Sequence, residues 1–131
     1  LGDAHANCGV FPGGGGAAIL PRRIGPARAK YLLYTGEQVS AHQMLDWGLV
    51  NEVVPAAELR AAADAMVAKI AVKSPLVLRR MKRVADMALD QPRDVALAHE
   101  LLTLRTHLRS YDLQEGLAAF RERRAPRFEG R

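Results

Sequence analysis

Cysteine, aromatic residues and long apolar runs are scarce in this sequence of 131 residues. Its one cysteine, Cys8, cannot form a disulfide within the chain, which fits a reducing compartment. No stretch approaches the roughly 20 consecutive apolar residues that a membrane-spanning helix needs, and the first residues do not resemble a cleavable leader. We therefore expect a soluble, cytoplasmic protein without a membrane partner.

Positive charge is in excess, with a formal net charge of +5 and an isoelectric point of about 9.9. This excess favours a polyanionic partner, either nucleic acid or the phosphates of a coenzyme, unless the cations simply face solvent. Only 5% of the residues are aromatic, and no zinc-finger or base-stacking pattern accompanies the arginines. We therefore expect no nucleic-acid partner.

Apolar spacing and turn residues predict a mostly helical chain before Pro55 as well as after it. A short extended stretch and a glycine-rich loop lead into a first helix, and a second helix starts at Pro26 and ends at Gly36. Ser40 then caps a short helix through Leu45. The segment 49–54 has the composition of a strand, which Pro55 would close.

Long amphipathic helices follow Pro55. They are predicted over residues 56–71, from Pro75 to the break at Gln91 and Pro92, over residues 93–109, and from a cap at Asp112 to residue 122. The change near Pro55 divides the chain into residues 1–55 and 56–131. Three successive apolar helix faces exceed what they can bury against one another, so we expect association with other copies.

Two features in the first 16 residues could take part in chemistry. The run from Pro12 to Gly16 exposes backbone amides that can hold an oxyanion, a phosphate or a water, or it simply lets a helix pack closely. His5 precedes this run and can act as a general base, or it merely hydrogen-bonds the loop. The three other histidines lack metal-ligand spacing, so no metal site is expected.

Motifs along the whole chain resemble the crotonase superfamily, the enoyl-CoA hydratases and isomerases. The stretch from Gly2 to Gly25 resembles the second catalytic segment of that family. Further matching segments follow in the same order: Tyr34-Thr35-Gly36, Ser40-Ala41, Gly48-Leu49-Val50, Val53-Val54-Pro55, Lys73-Ser74-Pro75, the stretch from Ser110 to Gly116, Ala119-Phe120 and the tail from Arg124 to Gly130. The resemblance therefore extends over essentially all of the sequence.

The resemblance implies an α/β fold with a ββα spiral core, to which residues 1–55 would contribute the end and residues 56–131 a mostly helical, oligomer-forming layer. The family polarises an acyl-CoA thioester through two backbone N–H groups and stabilises the resulting enolate. Hydratases of the family use two glutamates to add water. His5 occupies the position of the second glutamate, and Gly13 falls where some members keep an aspartate.

The resemblance also implies roles for individual residues. His5 is assigned as the catalytic base and the Gly13 amide as a group that places water or substrate, while Phe11 and Pro12 are assigned to substrate binding. Phe120 and Arg123 match positions that approach the coenzyme's adenine and phosphates, or they are core and solvent-exposed residues respectively.

Coenzyme A would arrive as part of the substrate, so the resemblance implies no separate cofactor. It implies a homotrimer or homohexamer that acts in fatty acid metabolism. The family's first glutamate and oxyanion-hole donors lie upstream of the residues present, so this chain alone is expected to be inactive. The competing interpretation is a non-catalytic acyl-CoA-binding or oligomerisation module.

Overall fold

The computed structural model describes all residues from Leu1 to Arg131. It contains seven α-helices, whose bounds lie close to those predicted from the sequence: α1 (Gly16–Ile24), α2 (Pro26–Thr35), α3 (Ala41–Asp46), α4 (Leu59–Ala71), α5 (Pro75–Ala88), α6 (Arg93–His107) and α7 (Tyr111–Glu122). Single turns of 3₁₀-helix cover His5–Cys8 and Ala56–Glu58. None of these helices has the length and apolar composition needed to span a bilayer.

The chain forms two compact units, residues Leu1–Leu59 and Arg60–Arg131. In the first unit, α1 packs against α2, and their contact buries Ile24, Ala29 and Leu32 together with Met44 of α3. Partly buried Leu20, Val39, Trp47, Leu49 and Val50 surround these four residues. The roles predicted for the two regions, the end of a spiral core and an oligomer-forming layer, stay predictions.

The predicted strand over residues 49–54 is wrong. Those residues form an irregular segment, in which the Leu49 N–H donates to the Met44 carbonyl at 2.9 Å and so continues the end of α3. The one β-bridge of the chain is the isolated antiparallel pair Gly2 and Gln38. A β-branched, apolar segment becomes a strand only where a neighbouring strand satisfies its backbone groups, and this chain provides none for residues 49–54.

The extended stretch expected ahead of the glycine run is instead the 3₁₀ turn His5–Cys8, which carries His5 and the exposed Cys8. Asn7 anchors this turn, because its Nδ2 donates to the Gly36 carbonyl at 3.3 Å. Gly36 ends α2 with a φ of 63°, and a Cβ built on it would lie 2.2 Å from Asn7 Oδ1. Glycine at position 36 therefore permits both the left-handed helix end and the close approach of the turn that carries His5.

In the second unit, α5 packs against α6, and serine side chains cap α5 and α7. Ser74 Oγ accepts a hydrogen bond from the Val77 N–H at 3.1 Å, and Ser110 Oγ accepts one from the Leu113 N–H at 3.3 Å. The predicted cap at Asp112 is therefore wrong, because Ser110 occupies the N-cap position and Asp112 lies inside the first turn of α7.

Asp112 instead anchors the C-terminal tail, and it is only 2% exposed. Its Oδ1 accepts hydrogen bonds from the backbone N–H groups of Glu129 and Gly130 at 2.8 and 3.0 Å, and its Oδ2 accepts one from the Ser74 hydroxyl. The Asp112 N–H in turn donates to the Arg131 carbonyl at 3.0 Å. One buried carboxylate thus connects the start of α5, the start of α7 and the tail.

A second carboxylate, Glu115, fixes the tail closer to α7. Arg124 forms a bidentate pair with it, with Nη1–Oε1 and Nη2–Oε2 distances of 2.6 and 2.9 Å, and the Arg127 N–H donates to Oε1 at 2.7 Å. The hydrogen bond from Arg124 is the main reason that the pKa of Glu115 falls to about 2. Glu115 is therefore ionised at any pH at which the protein is ordinarily studied.

Candidate active site

His5 and Asp3 form a hydrogen-bonded pair at the start of the chain. His5 Nδ1 lies 2.7 Å from Asp3 Oδ1, and the His5 backbone N–H also donates to that oxygen at 3.2 Å. The Asp3 side chain is only 15% exposed, whereas that of His5 is 46% exposed. A shielded carboxylate therefore holds a ring that remains accessible to a reactant.

The hydrogen bonds from His5 lower the pKa of Asp3 below its ordinary value of 3.8. An ionised carboxylate can only accept hydrogen bonds, so Nδ1 of His5 carries the proton that lies between the two groups. The other ring nitrogen, Nε2, is then unprotonated in the neutral ring and can accept a proton. When it does, the Asp3 charge stabilises the imidazolium, which is the arrangement of a positioned general base.

The glycine run brings the start of α1 next to Asp3. A Cβ built on Gly16 would lie 3.1 Å from Asp3 Oδ2, so a side chain at position 16 would crowd the carboxylate. No side chain caps α1, whose N-cap residue is Gly15. The positive end of this helix therefore favours the charged form of Asp3.

Asp3 of this pair lines a cavity of about 430 Å³, whereas His5 does not line it. Asp3 and the glycines from Gly14 to Gly16 form one part of its wall, and the apolar side chains of Ile19, Leu20, Leu32, Met44 and Leu49 form another. Apolar walls with a few polar groups at one edge are typical of small-molecule sites. The first unit thus combines a candidate base with an apolar surface.

The other residues predicted in this region lie near the pair in sequence but outside the lining of that cavity. Phe11 is 80% exposed, Pro12 is half-buried and Gly13 is exposed. No atom lies within 4 Å of a Cβ built on Gly13, so the backbone there borders open space. Their predicted roles in placing water and substrate stay predictions.

Phe120 and Arg123 lie together in the second unit, at the C-terminal end of α7. The Arg123 N–H donates to the Phe120 carbonyl at 3.3 Å, and the Phe120 side chain is 83% exposed. The alternative that Phe120 is a core residue is therefore wrong for this chain. Arg123 is the only residue other than glycine with a positive φ, at 56°. An arginine in this left-handed conformation costs about 1–2 kcal/mol relative to the helical one.

All 131 residues match the family of enoyl-CoA hydratases and isomerases. The chain belongs to this family. It is 34% identical over 128 residues to crotonyl-CoA hydratase of Syntrophomonas wolfei, covering 98% of the chain and 49% of that relative. It is 32% identical over 131 residues to carnitinyl-CoA dehydratase of Proteus mirabilis, covering 97% of the chain and 50% of that relative.

Solved structures show the same fold. The crystal structure of enoyl-CoA hydratase from Bacillus anthracis superposes with a TM-score of 0.94 at 34% identity, over 98% of this chain and 50% of that one. The chain thus has the architecture of the crotonase fold over about half the length of these relatives. The crotonase-like fold class predicted from sequence is confirmed, and the chain itself contributes a mostly helical part of it.

Asp3 is the site residue that sequence reasoning missed. It stands two residues before His5, a spacing that allows a carboxylate to reach the Nδ1 atom of the ring when the chain turns at His5. The sequence signal was therefore present, but it depended on a 3₁₀ turn where an extended segment was expected.

Proposed function

We propose that the full protein is an enoyl-CoA hydratase/isomerase-like enzyme that acts on an unsaturated acyl-CoA thioester and stabilises an enolate. The hydrogen bond of His5 to Asp3, a residue that lines an apolar cavity, carries this proposal. Family membership supports an acyl-CoA substrate, and the pair supports the proposal as a candidate proton-transfer group for such chemistry.

In hydration, Nε2 of His5 takes a proton from water while the water oxygen bonds to C3 of the enoyl group. The electrons of the double bond move toward the thioester and form an enolate, whose oxygen is stabilised by hydrogen-bond donors. The imidazolium then returns a proton to C2, so the ring is regenerated and one water has been added. In isomerisation, the same nitrogen would move a proton between C2 and C4.

The imidazole of His5 replaces the second carboxylate of the paired-glutamate mechanism, and Asp3 returns a negative charge to the same place. While the ring is neutral, the Asp3–His5 pair therefore carries the net charge of a lone carboxylate, but its basic atom is an imidazole nitrogen and not a carboxylate oxygen. We therefore favour a mechanism in which His5 alone transfers the proton over one in which two carboxylates hold the water between them.

Hydration of crotonyl-CoA by the full protein, followed as loss of the enoyl absorbance, tests the proposal. We expect turnover of this substrate or of the matching 3-enoyl-CoA, and the two assays distinguish hydration from isomerisation. The 131 residues alone are expected to be inactive, because by resemblance the oxyanion-hole donors belong to the other half of the family's subunit. If the full protein binds acyl-CoA but transforms neither substrate, it is a binding module and the enzymatic proposal is wrong.

We also propose that the protein assembles into a homotrimer or homohexamer through its long helices. Apolar side chains on α6 and at its C-cap, Leu108, are about half exposed, at 47–61%: Val95, Leu97, Leu101, Leu102, Leu104 and Leu108. α4 adds Leu59 and Val67, at 63% and 61%. Exposed apolar surface of this extent is typical of helices that pack against another chain.

Sedimentation equilibrium of the full protein measures this association. We expect Leu101→Glu on α6 to shift the mass toward the monomer, because it places a charge in an apolar interface. Lys82→Glu, an exposed charged position on α5, outside these two helices, is the control and should leave the mass unchanged. A full protein that is already monomeric at micromolar concentration would contradict the proposal.

A further inference from the structure

A basic groove lies between α5 and α6 in the second unit, and none of its residues belongs to the proposed reaction. Arg80 and Arg83 of α5, with His99, Thr103 and Thr106 of α6, line a cavity of about 320 Å³, which we call the α5–α6 groove. Residues three apart share one face of a helix, so both guanidinium groups face α6. The cavity volume is at the lower end of the range for small-molecule sites.

No carboxylate lines this groove. Some cations of the second unit are paired with acids, as Lys82 is with Asp86 and Arg124 with Glu115. Arg83 has no hydrogen-bond or ion-pair partner within the chain. Its charge is therefore available to a bound anion.

The second guanidinium is held by a neutral group. Arg80 Nη1 lies 2.7 Å from His107 Nδ1, and Ser110 Oγ lies 3.2 Å from the same nitrogen. Burial, together with the nearby charge of Arg80, lowers the pKa of His107, while Asp112 acts in the opposite direction. The imidazole thus accepts a hydrogen bond from Arg80 without cancelling its charge, and it fixes one N–H edge of the guanidinium.

We propose that the α5–α6 groove binds a phosphoryl group. Two guanidinium groups present forked N–H donors that match the oxygens of a phosphate, and the imidazole of His99 adds a third nitrogen at the wall. A carboxylate has two oxygens and can pair with only one guanidinium group, whereas a phosphoryl group has enough oxygens to pair with both. The groove is independent of the His5–Asp3 pair, so this site does not depend on the proposed reaction.

Phosphorus NMR of the full protein with inorganic phosphate, and in a second arm with adenosine 3′,5′-bisphosphate, tests the proposal. We expect Arg83→Gln and Arg80→Gln each to weaken phosphate binding about tenfold, the loss of one charge-assisted contact. Arg83→Lys keeps the charge but loses the fork, and should retain part of the affinity. Tighter binding of the bisphosphate than of inorganic phosphate would identify a nucleotide-linked phosphate as the ligand, and equal binding the free anion.

Arg105→Gln is the matched control, because it removes the same charge from an exposed position on α6 that does not line the groove. Retained binding in this variant supports a defined site. An equal loss in Arg105→Gln and Arg83→Gln would show that phosphate senses only the net charge of the protein, and would overturn the proposal. So would the absence of line broadening with both ligands.

Discussion

Replacement of His5 by alanine in the full protein is expected to lower kcat for enoyl-CoA conversion about 10²- to 10⁴-fold, the usual contribution of a general base. The side chain is accessible and makes its hydrogen bonds with Asp3 alone, so the variant should fold. Steady-state kinetics with crotonyl-CoA measure the effect, and the KM should change much less than kcat because the ring acts in the transition state.

Asp3→Asn separates positioning from proton transfer. Asparagine keeps the size of the side chain but removes the charge that faces the imidazolium, so we expect a smaller loss of kcat than in His5→Ala. The same steady-state kinetics measure the difference between the two variants. A fully active His5→Ala variant would contradict the assignment, as would an inert protein that His5→Glu fails to activate.

Asp112→Ala is expected to lower the free energy of unfolding by about 3 kcal/mol, because it leaves the Ser74 hydroxyl and two backbone N–H groups of the tail without their buried acceptor. Urea unfolding of the full protein measures the loss. Amide hydrogen exchange should also show faster exchange at Glu129 and Gly130 than elsewhere in the second unit. Ser74→Ala removes one of these contacts and one helix cap, so a smaller loss is expected.

The contribution of Asp112 should depend on pH. Burial raises the pKa of Asp112, but the hydrogen bonds from Ser74 and from the backbone of Glu129 and Gly130 outweigh it, so the pKa lies below the ordinary value of 3.8. A group whose pKa is lower in the folded state than in the unfolded state stabilises the folded state at pH values above its unfolded pKa. The difference between wild type and Asp112→Ala should thus be full above pH 3.8 and shrink as the pH falls further. A difference that grows toward acid would contradict this account.

Helices were predictable from this sequence because their signals are local. The Ser-Pro pair at 74–75 and the stop at Gly36 act within one turn of the residues they affect, and the structure places α5 and the end of α2 accordingly. Amphipathic spacing likewise located α4 and α6.

Features that depend on distant partners were not predictable in the same way. Residues 49–54 have the composition of a strand but no strand to pair with. Asp112 is a residue type that often caps helices, but its carboxylate oxygens accept hydrogen bonds from tail residues 17 and 18 positions away. At the site, His5 could be proposed from sequence through resemblance. Its pairing with Asp3 required the backbone turn, whose anchor at Gly36 lies 29 residues from Asn7.

The 3₁₀ turn that carries His5 also carries Cys8, the one thiol among the 131 residues. Side chains three residues apart eclipse each other in such a turn, so the sulfur and the imidazole lie on the same side of the backbone. A dye attached to this sulfur would therefore sit beside the proposed base and respond to a ligand arriving there. For the same reason, oxidation of Cys8 would place a polar group on the side of the turn that carries the imidazole, so activity assays call for a reductant.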